Sequence, residues 1–344
     1  MNHSEEIMSE INRRGFLKTS ASVGALALAG GADRIRKDRL PLAVTTPRQG
    51  ANEELRVAVV GFNGMGAGHI GAHTNARNVR VVTLCDIDER LFGDKVRFVE
   101  EKSGRKPKTE YDVRRVMDDK DVDCLSIAST NHWHALPTVW ACQAGKDVFV
   151  EKPISHTFVE GRKMVQAARK YNRIVQVGTQ SRSFTGVQEA MRQLHQGVIG
   201  EVYMARGLCY RRRQSIGLYP DEPAPPPGVH YDLWLGPAPL RPFNKNRFHY
   251  EWHWNWEYGN GDIGNQGVHQ MDIALWGLNK KFPTRVHSVG GRFGYKDQGQ
   301  TPNTQVSTFQ YPDGTMLVFE VRGLPTNEEC GQTVGNIFYG SKGY

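Results

Sequence analysis

The sequence predicts an α/β protein in which a doubly wound parallel sheet of the Rossmann type is followed by an α+β domain with a largely antiparallel sheet. Three observations support this. Apolar runs alternate with helix-like segments from residue 55 to residue 177, a glycine-rich turn follows the first run, and strand-like alternation begins after Gly277. Because 344 residues exceed what one core usually holds, we expect two domains, 54–178 and 179–344.

The first half alternates strand and helix regularly. Predicted strands lie at 55–60, 80–85, 122–128, 147–150 and 174–177, with helices near 65–77, 88–103, 112–119, 133–144 and 158–171. In such sheets, ligands bind beyond the carboxyl ends of the strands. We therefore expect a ligand site where these strands end.

The turn after the first strand carries the first functional signal. It consists of Gly61, Phe62, Asn63, Gly64, Met65 and Gly66. This is close to the G-x-G-x-x-G pattern, with Asn63 at the middle position, and Asn is the non-glycine residue that best tolerates positive φ. Backbone N–H groups and the helix dipole meet at such a turn and suit a pyrophosphate. The alternative is an ordinary strand-turn-helix with glycines for packing.

The next strand ends in an acid. Asp86 lies 20 residues beyond Gly66, where a dinucleotide-binding fold needs a carboxylate for the adenosine ribose hydroxyls. A carboxylate there also repels a 2′-phosphate. The pattern therefore predicts NAD, with NADP disfavoured.

Composition excludes several other classes. The formal charge of +8 is too small and scattered to predict nucleic-acid binding, and the basic run 211–213 is expected to be a solvent-exposed strand edge. No apolar run reaches the ~18 residues of a membrane span. Five cysteines without paired spacing predict no disulfide framework. His249 and His253 lack further ligands nearby, so no metal site is predicted.

The N-terminus has the features of a twin-arginine export signal. Arg13 and Arg14 precede Phe16-Leu17-Lys18 and an apolar stretch that ends in small residues. We expect a signal peptide at 1–31, a linker at 32–53 and a periplasmic location. Because this pathway exports folded proteins, a cofactor can be loaded before export.

Several motifs together resemble the glucose-fructose oxidoreductase, inositol dehydrogenase and rhizopine-catabolism (Gfo/Idh/MocA) family. They are the glycine turn, Leu84–Asp88, Thr130–His134, Gly145–Pro153 and Gly178–Gln180. The Glu-Lys-Pro element at 151–153 is the most specific of them.

The resemblance implies site residues for the cofactor and the reacting hydroxyl. It places Lys152 beside the nicotinamide, where an ammonium stabilises a developing alkoxide; the alternative for Lys152 is a surface lysine in a loop. Further cofactor contacts are expected from Thr130, Asn131, His134, Glu151 and Gln180.

The second half contains candidate substrate residues. A long proline-rich stretch that follows Gly207 and runs to Pro239 is expected either to cover the substrate cleft or to form a subunit contact. The aromatic stretch 249–258 offers His253 and Trp254, which either bind a sugar or pack in the core. We also expect Arg182 to contact substrate.

A second catalytic element is predicted at 259–272. On one helix, Asp262, Asn265, His269 and Asp272 fall within an arc of about 80°. The resemblance implies that His269 shuttles the hydroxyl proton, usually with an aspartate four residues earlier, where this chain has Asn265. Either Asp262 or Asp272 is expected to compensate. The alternative is a structural His-Asp pair at a helix end.

Together these features predict an exported NAD-dependent oxidoreductase acting on a sugar, polyol or glycoside, with a tightly held cofactor. The alternatives are a glycosidase or lyase that oxidises a sugar transiently, and a non-enzymatic sugar-binding protein. The resemblance implies a homo-oligomer formed through the C-terminal sheet, and a family fold that continues beyond Tyr344.

Overall fold

The computed structural model describes residues 54–344. The predicted signal peptide and linker lie outside the described residues. The chain divides into two compact units: the first ends at Val177 and also takes in Ala224–Arg241, and the second comprises Gly178–Pro223 and Pro242–Tyr344. Residues 224–241, expected to belong to the second domain, therefore group with the first unit.

The first unit contains a six-stranded sheet in the order β3-β2-β1-β4-β5-β6. Its strands are β1 Leu55–Val60, β2 Val79–Cys85, β3 Lys108–Glu110, β4 Cys124–Ile127, β5 Asp147–Glu151 and β6 Val175–Gly178. Its helices are α1 Met65–Asn75, α2 Phe92–Ser103, α3 Val113–Asp118, α4 Ala135–Gln143 and α5 Phe158–Lys170.

Burial explains why the central strands are apolar along their whole length. The four residues of β4 and the last four of β1 are buried, as expected for parallel strands covered by helices on both faces. Short β3 was not predicted, because its polar three-residue sequence has no apolar run. The doubly wound fold is confirmed, and the carboxyl ends of β1, β2, β4 and β5 lie along one edge.

The segment 224–241 runs along the first unit. It contains the short helix α7 Tyr231–Leu235. The backbone carbonyl of Trp234 faces Nε2 of His132 at 3.0 Å and accepts from Nε1 of Trp133 at 2.8 Å. Part of the predicted long loop is therefore a packed component of the nucleotide-fold unit.

The second unit has a mixed five-stranded sheet in the order β11-β7-β10-β9-β8. The strands are β7 Val202–Cys209, β8 Arg285–Gly291, β9 Thr304–Gln310, β10 Met316–Arg322 and β11 Val334–Gly340. Only the β7–β10 pair is parallel, so the predicted largely antiparallel sheet is confirmed. The helices are α6 Thr185–His195, α8 Gly261–Asn265 and α9 Gly267–Leu278.

The predicted helix over 262–272 is two helices, since α8 ends at Asn265 and α9 begins at Gly267. Gln266 between them keeps helical angles, and its N–H still donates to Asp262 O at 3.0 Å. Ala274 and Leu278 of α9 pack in the core of the sheet.

The cysteines and the hydropathy of the helices were both considered in the sequence analysis. All five cysteines are free, and four of them are buried. Within residues 54–344, no helix combines the length and apolar character needed to cross a bilayer.

Candidate active site

The glycine turn between β1 and α1 is tightly packed at two glycines. Gly61 has φ +76°, and a Cβ there would lie 2.9 Å from Cα of Ser129. A Cβ on Gly66 would lie 1.9 Å from the carbonyl oxygen of Gly61. Around Gly64 nothing lies within 4 Å of a Cβ position. The turn is therefore closed towards the protein and open at Gly64.

Asp86 holds this turn from the end of β2. Its Oδ2 accepts the backbone N–H of Phe62 at 2.8 Å, and its Oδ1 accepts that of Asp88 at 3.1 Å. Burial raises the pKa of Asp86 to about 6, against the lowering effect of these hydrogen bonds. The Phe62 side chain points into the core and meets the Phe92 ring edge-on at 5.3 Å.

The end of β4 is built from buried polar residues. Thr130 and Asn131 are 9% and 3% exposed. Both ring nitrogens of His134 face carbonyl oxygens, Nδ1 that of Pro153 at 2.7 Å and Nε2 that of Ser129 at 3.0 Å. Burial lowers the pKa of His134. The His134 ring is buried and joins two backbone loops, and its predicted contact with the cofactor stays a prediction.

Lys152 directly follows β5, and its backbone is held on both sides. Oε2 of Glu151 accepts the N–H of Lys152 at 3.1 Å, and the next residue, Pro153, is joined to Lys152 by a cis peptide bond and bonded by His134. Glu151 faces helix α1, where His69 Nε2 lies 3.1 Å from its Oε1. Glu151 thus bonds both the backbone of Lys152 and a side chain of α1.

These features fit a dinucleotide. The turn has the close glycine packing and open centre that let backbone N–H groups approach a pyrophosphate, and α1 starts directly behind it at Met65. Asp86 stands at the end of the neighbouring strand, as a ribose-binding carboxylate must. Gly61 to Gly66 and Asp86 would therefore hold the nucleotide, with Lys152 at the same edge of the sheet.

In the second unit, Asp262 forms a buried ion pair. Nη2 of Arg213 lies 2.5 Å from its Oδ1, and the Arg213 Nε lies 3.1 Å from its Oδ2. The two side chains are 1% and 13% exposed. Arg213 also lies over the Trp254 ring, 5.1 Å from its centroid. The expectation that Arg213 lies on a solvent-exposed edge is corrected.

Asp272 also forms an ion pair with an arginine. Arg182 donates from Nε to its Oδ2 at 2.7 Å and from Nη2 to its Oδ1 at 2.8 Å. Both acids expected to compensate for Asn265 are thus bound bidentately by arginines, and their support of His269 stays a prediction. His269 is half-buried in the first turn of α9, and Asn265 ends α8.

The aromatic stretch separates into exposed and buried rings. Trp254 is 4% exposed and lies under Arg213, so of the two alternatives for this ring, core packing agrees with its burial. His253 stacks on Trp252 with centroids 3.6 Å apart, and its Nδ1 lies 2.6 Å from the Tyr250 carbonyl oxygen. Gln180 opens a short 3-10 turn in the second unit.

Sequence reasoning missed three residues under the first unit's site: His69, His73 and Ser126. Their signal was weak, since two histidines four apart on a helix after a glycine turn look like ordinary helix positions. Arg213 was also missed, although its place at the end of a basic run next to the sheet domain was visible. Among residues 54–344, no group of three or more His, Cys, Asp or Glu is arranged for a metal ion.

The fold and glycine turn define a Rossmann-type dinucleotide-binding protein, and the comparisons name its family. The family model for the oxidoreductase family with an NAD-binding Rossmann fold matches residues 55–179. The model for the C-terminal alpha/beta domain of that family matches 216–341, and a twin-arginine translocation signal model matches 10–30. The chain belongs to the Gfo/Idh/MocA oxidoreductase family, which confirms the resemblance seen in the sequence.

Individual relatives fit this assignment. Inositol 2-dehydrogenase of Klebsiella pneumoniae is 32% identical over 272 residues, 78% of this chain and 67% of that protein. A glycosyl hydrolase family 109 protein of Shewanella pealeana is 25% identical over 47% of this chain and 38% of its own. The chain spans about half or less of the first curated relatives it matches, 38% and 46% of their lengths.

Solved structures share the fold. The WlbA dehydrogenase from Bordetella pertussis, in complex with NADH and UDP-GlcNAcA, aligns with TM-score 0.64 at 20% identity, covering 84% of this chain and 72% of that chain. At this identity the likeness shows the fold alone.

Proposed function

We propose that this protein transfers a hydride between a hydroxyl-bearing carbon of a sugar, polyol or glycoside and a tightly held NAD. One observation carries the proposal: the turn at Gly61–Gly66, the carboxylate of Asp86 and the doubly supported backbone of Lys152 lie at one edge of the first sheet. Inositol dehydrogenases among the relatives support the substrate class.

Lys152 and His269 have the side chains that the chemistry needs. When bound, NAD supplies a hydride acceptor. The Lys152 ammonium donates a hydrogen bond to the substrate oxygen and stabilises its developing negative charge. His269 accepts the hydroxyl proton at an imidazole nitrogen. Because Asn265 cannot offer a charge, the imidazolium of His269 is held less firmly than it would be beside a carboxylate.

Arg182 and His253 are our proposed substrate contacts. Arg182 keeps its guanidinium oriented through Asp272 and is 41% exposed. His253 is half-buried and kept in place by its contacts with Trp252 and Tyr250. A planar oriented guanidinium and a ring edge both suit hydroxyl or carboxylate recognition. We also propose cofactor contacts for Thr130, Asn131 and Gln180.

We propose that the exported protein works in the periplasm and assembles as a homo-oligomer through its C-terminal sheet. The twin-arginine signal supports export of a folded, cofactor-loaded chain. In the second unit, β8 exposes Val286 and Val289 at 58% and 61%, which is typical of a strand that another surface covers. Tight cofactor retention follows, because free NAD is not expected outside the cytoplasm.

The test starts from protein purified without added cofactor. Stoichiometric nicotinamide should be released on denaturation, and a screen of polyols and glycosides should raise the absorbance of bound reduced nicotinamide. Lys152→Ala should lose this signal by about a thousandfold, while the exposed control Lys163→Ala should keep it. Equal turnover in both variants would refute the role of Lys152.

A second candidate is glycosidic cleavage by transient oxidation, favoured by the glycosyl hydrolase family 109 relative. Release of nitrophenol from a nitrophenyl glycoside without net NADH would support cleavage. Net NADH formation without nitrophenol would support the dehydrogenase. If the protein binds sugars but neither reaction occurs in the parent protein, it is a non-enzymatic sugar-binding protein.

A further inference from the structure

A chain of hydrogen-bonded, largely buried polar side chains connects helix α1 to the sheet of the first unit. Helix α1 presents His69 and His73 to the sheet, and Oγ of Ser126 on β4 lies between them, 3.0 Å from Nδ1 of His69 and 3.0 Å from Nε2 of His73. The other nitrogen of His69, Nε2, lies 3.1 Å from Oε1 of Glu151. The chain therefore joins α1, β4 and β5.

The direction of these hydrogen bonds follows from chemistry. Burial tends to raise the pKa of Glu151, but the hydrogen bond from His69 and the electrostatic attraction of His69 and Lys152 hold it below its ordinary value. An ionised Glu151 only accepts, so Nε2 of His69 donates. When the His69 ring carries its one N–H on Nε2, its Nδ1 accepts the Ser126 hydroxyl hydrogen. Ser126 then accepts from Nε2 of His73.

His73 differs from His69 in its contacts. Burial, with a smaller effect of His69, lowers the pKa of His73 to about 4, so it is neutral near pH 7. Its Nε2 lies 3.0 Å from Oγ of Ser126, whereas the ring that bonds Glu151 is that of His69. The Ser126 hydroxyl can donate to His69 whether or not His73 is present. His73 is therefore the matched control for His69.

Glu151 connects this chain to the proposed catalytic lysine. One carboxylate oxygen faces His69, and the other accepts the backbone N–H of Lys152. The charged and titratable groups that face Glu151 are His69 from α1, Lys152 from its own loop and His134 from the start of α4. Without the bond from His69, one oxygen of a carboxylate that is only 13% exposed loses its donor.

We propose that His69 is a positioning residue: by holding Glu151 in place, it keeps a negative charge beside Lys152, and that charge favours the ammonium form of the lysine over the neutral amine. The proposal rests on the proposed function of Lys152. It adds the requirement that Glu151 be held by His69. Helix α1, which follows the dinucleotide turn, thereby also orients the carboxylate next to the lysine. Helix α1 would then serve two purposes: its N-terminus faces the bound nucleotide, and its His69 holds the carboxylate beside Lys152.

The experiment measures the reactivity of Lys152 directly, so it needs no known substrate. The full chain is acetylated with trace acetic anhydride across a pH series, and the Lys152 peptide is quantified by mass spectrometry against exposed Lys163 in the same digest. Glu151→Gln should lower the pH midpoint of Lys152 labelling by about one unit, and His69→Leu by about half of that. His69→Gln, whose amide can still donate to Glu151, should restore the parent midpoint.

His73→Leu should leave the midpoint unchanged, because it keeps the His69–Glu151 bond. Equal shifts in His69→Leu and His73→Leu, or an unmoved midpoint in Glu151→Gln, would overturn the proposal. Circular dichroism checks that each variant is folded. Turnover in Lys152→Ala separates the two hypotheses: retained turnover rejects the role of Lys152, whereas lost turnover with an unmoved midpoint in Glu151→Gln rejects only the role of His69.

Discussion

Cofactor affinity should depend on the protonation of Asp86. In the cofactor-free protein, burial raises the pKa of this carboxyl to about 6. Ribose hydroxyls donate hydrogen bonds to a carboxylate, so NAD selects the ionised form. At pH 5 only about one tenth of the molecules are ionised at Asp86, and NAD binding should be about tenfold weaker than at pH 7.5.

The stability of the cofactor-free protein should change in the opposite direction. The folded-state pKa of Asp86 is raised from 3.8, so the contribution of this group to stability is fully present below pH 3.8 and is lost as the pH rises through about 6. NAD binding offsets that loss. The increase in melting temperature caused by NAD should therefore be larger at pH 7.5 than at pH 5.

Isothermal titration calorimetry on cofactor-stripped protein measures this linkage. Repeating each titration in buffers of different ionisation enthalpy gives the number of protons released, which should approach one near pH 5 and zero at pH 7.5. Asp86→Asn is the control, with weaker binding that stays flat over the same range. A parent affinity that does not change between pH 5 and pH 7.5 would refute the reasoning.

Two further predictions concern packing. Gly66→Ala should reduce NAD affinity at least a hundredfold in calorimetry, because its Cβ would lie 1.9 Å from the carbonyl oxygen of Gly61; Gly71→Ala on the same helix, with nothing within 4 Å, should keep the affinity and gain about 0.5 to 1 kcal/mol of stability. Equal affinities would contradict this. Asp262→Asn should lower the free energy of unfolding in urea by about 3 kcal/mol, because it leaves the 13% exposed side chain of Arg213 without its buried counter-ion. A loss below about 1 kcal/mol would show that the pair is not structural.

Local sequence patterns predicted the parts of the site that are local in the chain. The glycine turn and Asp86 could be recognised because a strand, a turn and an acid at the end of the next strand follow one another along the sequence. The sheet domain was recognised for the same reason, since each of its predicted strands alternates over several residues.

The partners of charged residues could not be predicted in this way. Asp262 pairs with Arg213, 49 positions away, and Asp272 with Arg182, 90 positions away. Helical spacing alone put both acids on one arc, but it says nothing about which cations the rest of the fold brings to them. The segment also forms two helices, Gly261–Asn265 and Gly267–Leu278, which spacing did not show.

Burial was the other property that the sequence left open. Within the aromatic stretch, Trp254 and Trp256 are two positions apart, yet they are 4% and 52% exposed. Because both residues are tryptophans, the sequence alone gives both rings the same ability to stack on a sugar. Only the tertiary contact with Arg213 shows that Trp254 is covered. The role of His69 could not be predicted for a similar reason: its partner Glu151 lies 82 positions further along the chain, and only the fold brings the two together.

The most direct measurement is the nicotinamide content of protein isolated from the periplasm without added cofactor, followed by its absorbance when a polyol or glycoside is supplied. We expect close to one nicotinamide per chain and reduction of that bound ring in the parent protein but not in Lys152→Ala. A chain that carries no nicotinamide and does not bind NAD when it is supplied would contradict the account.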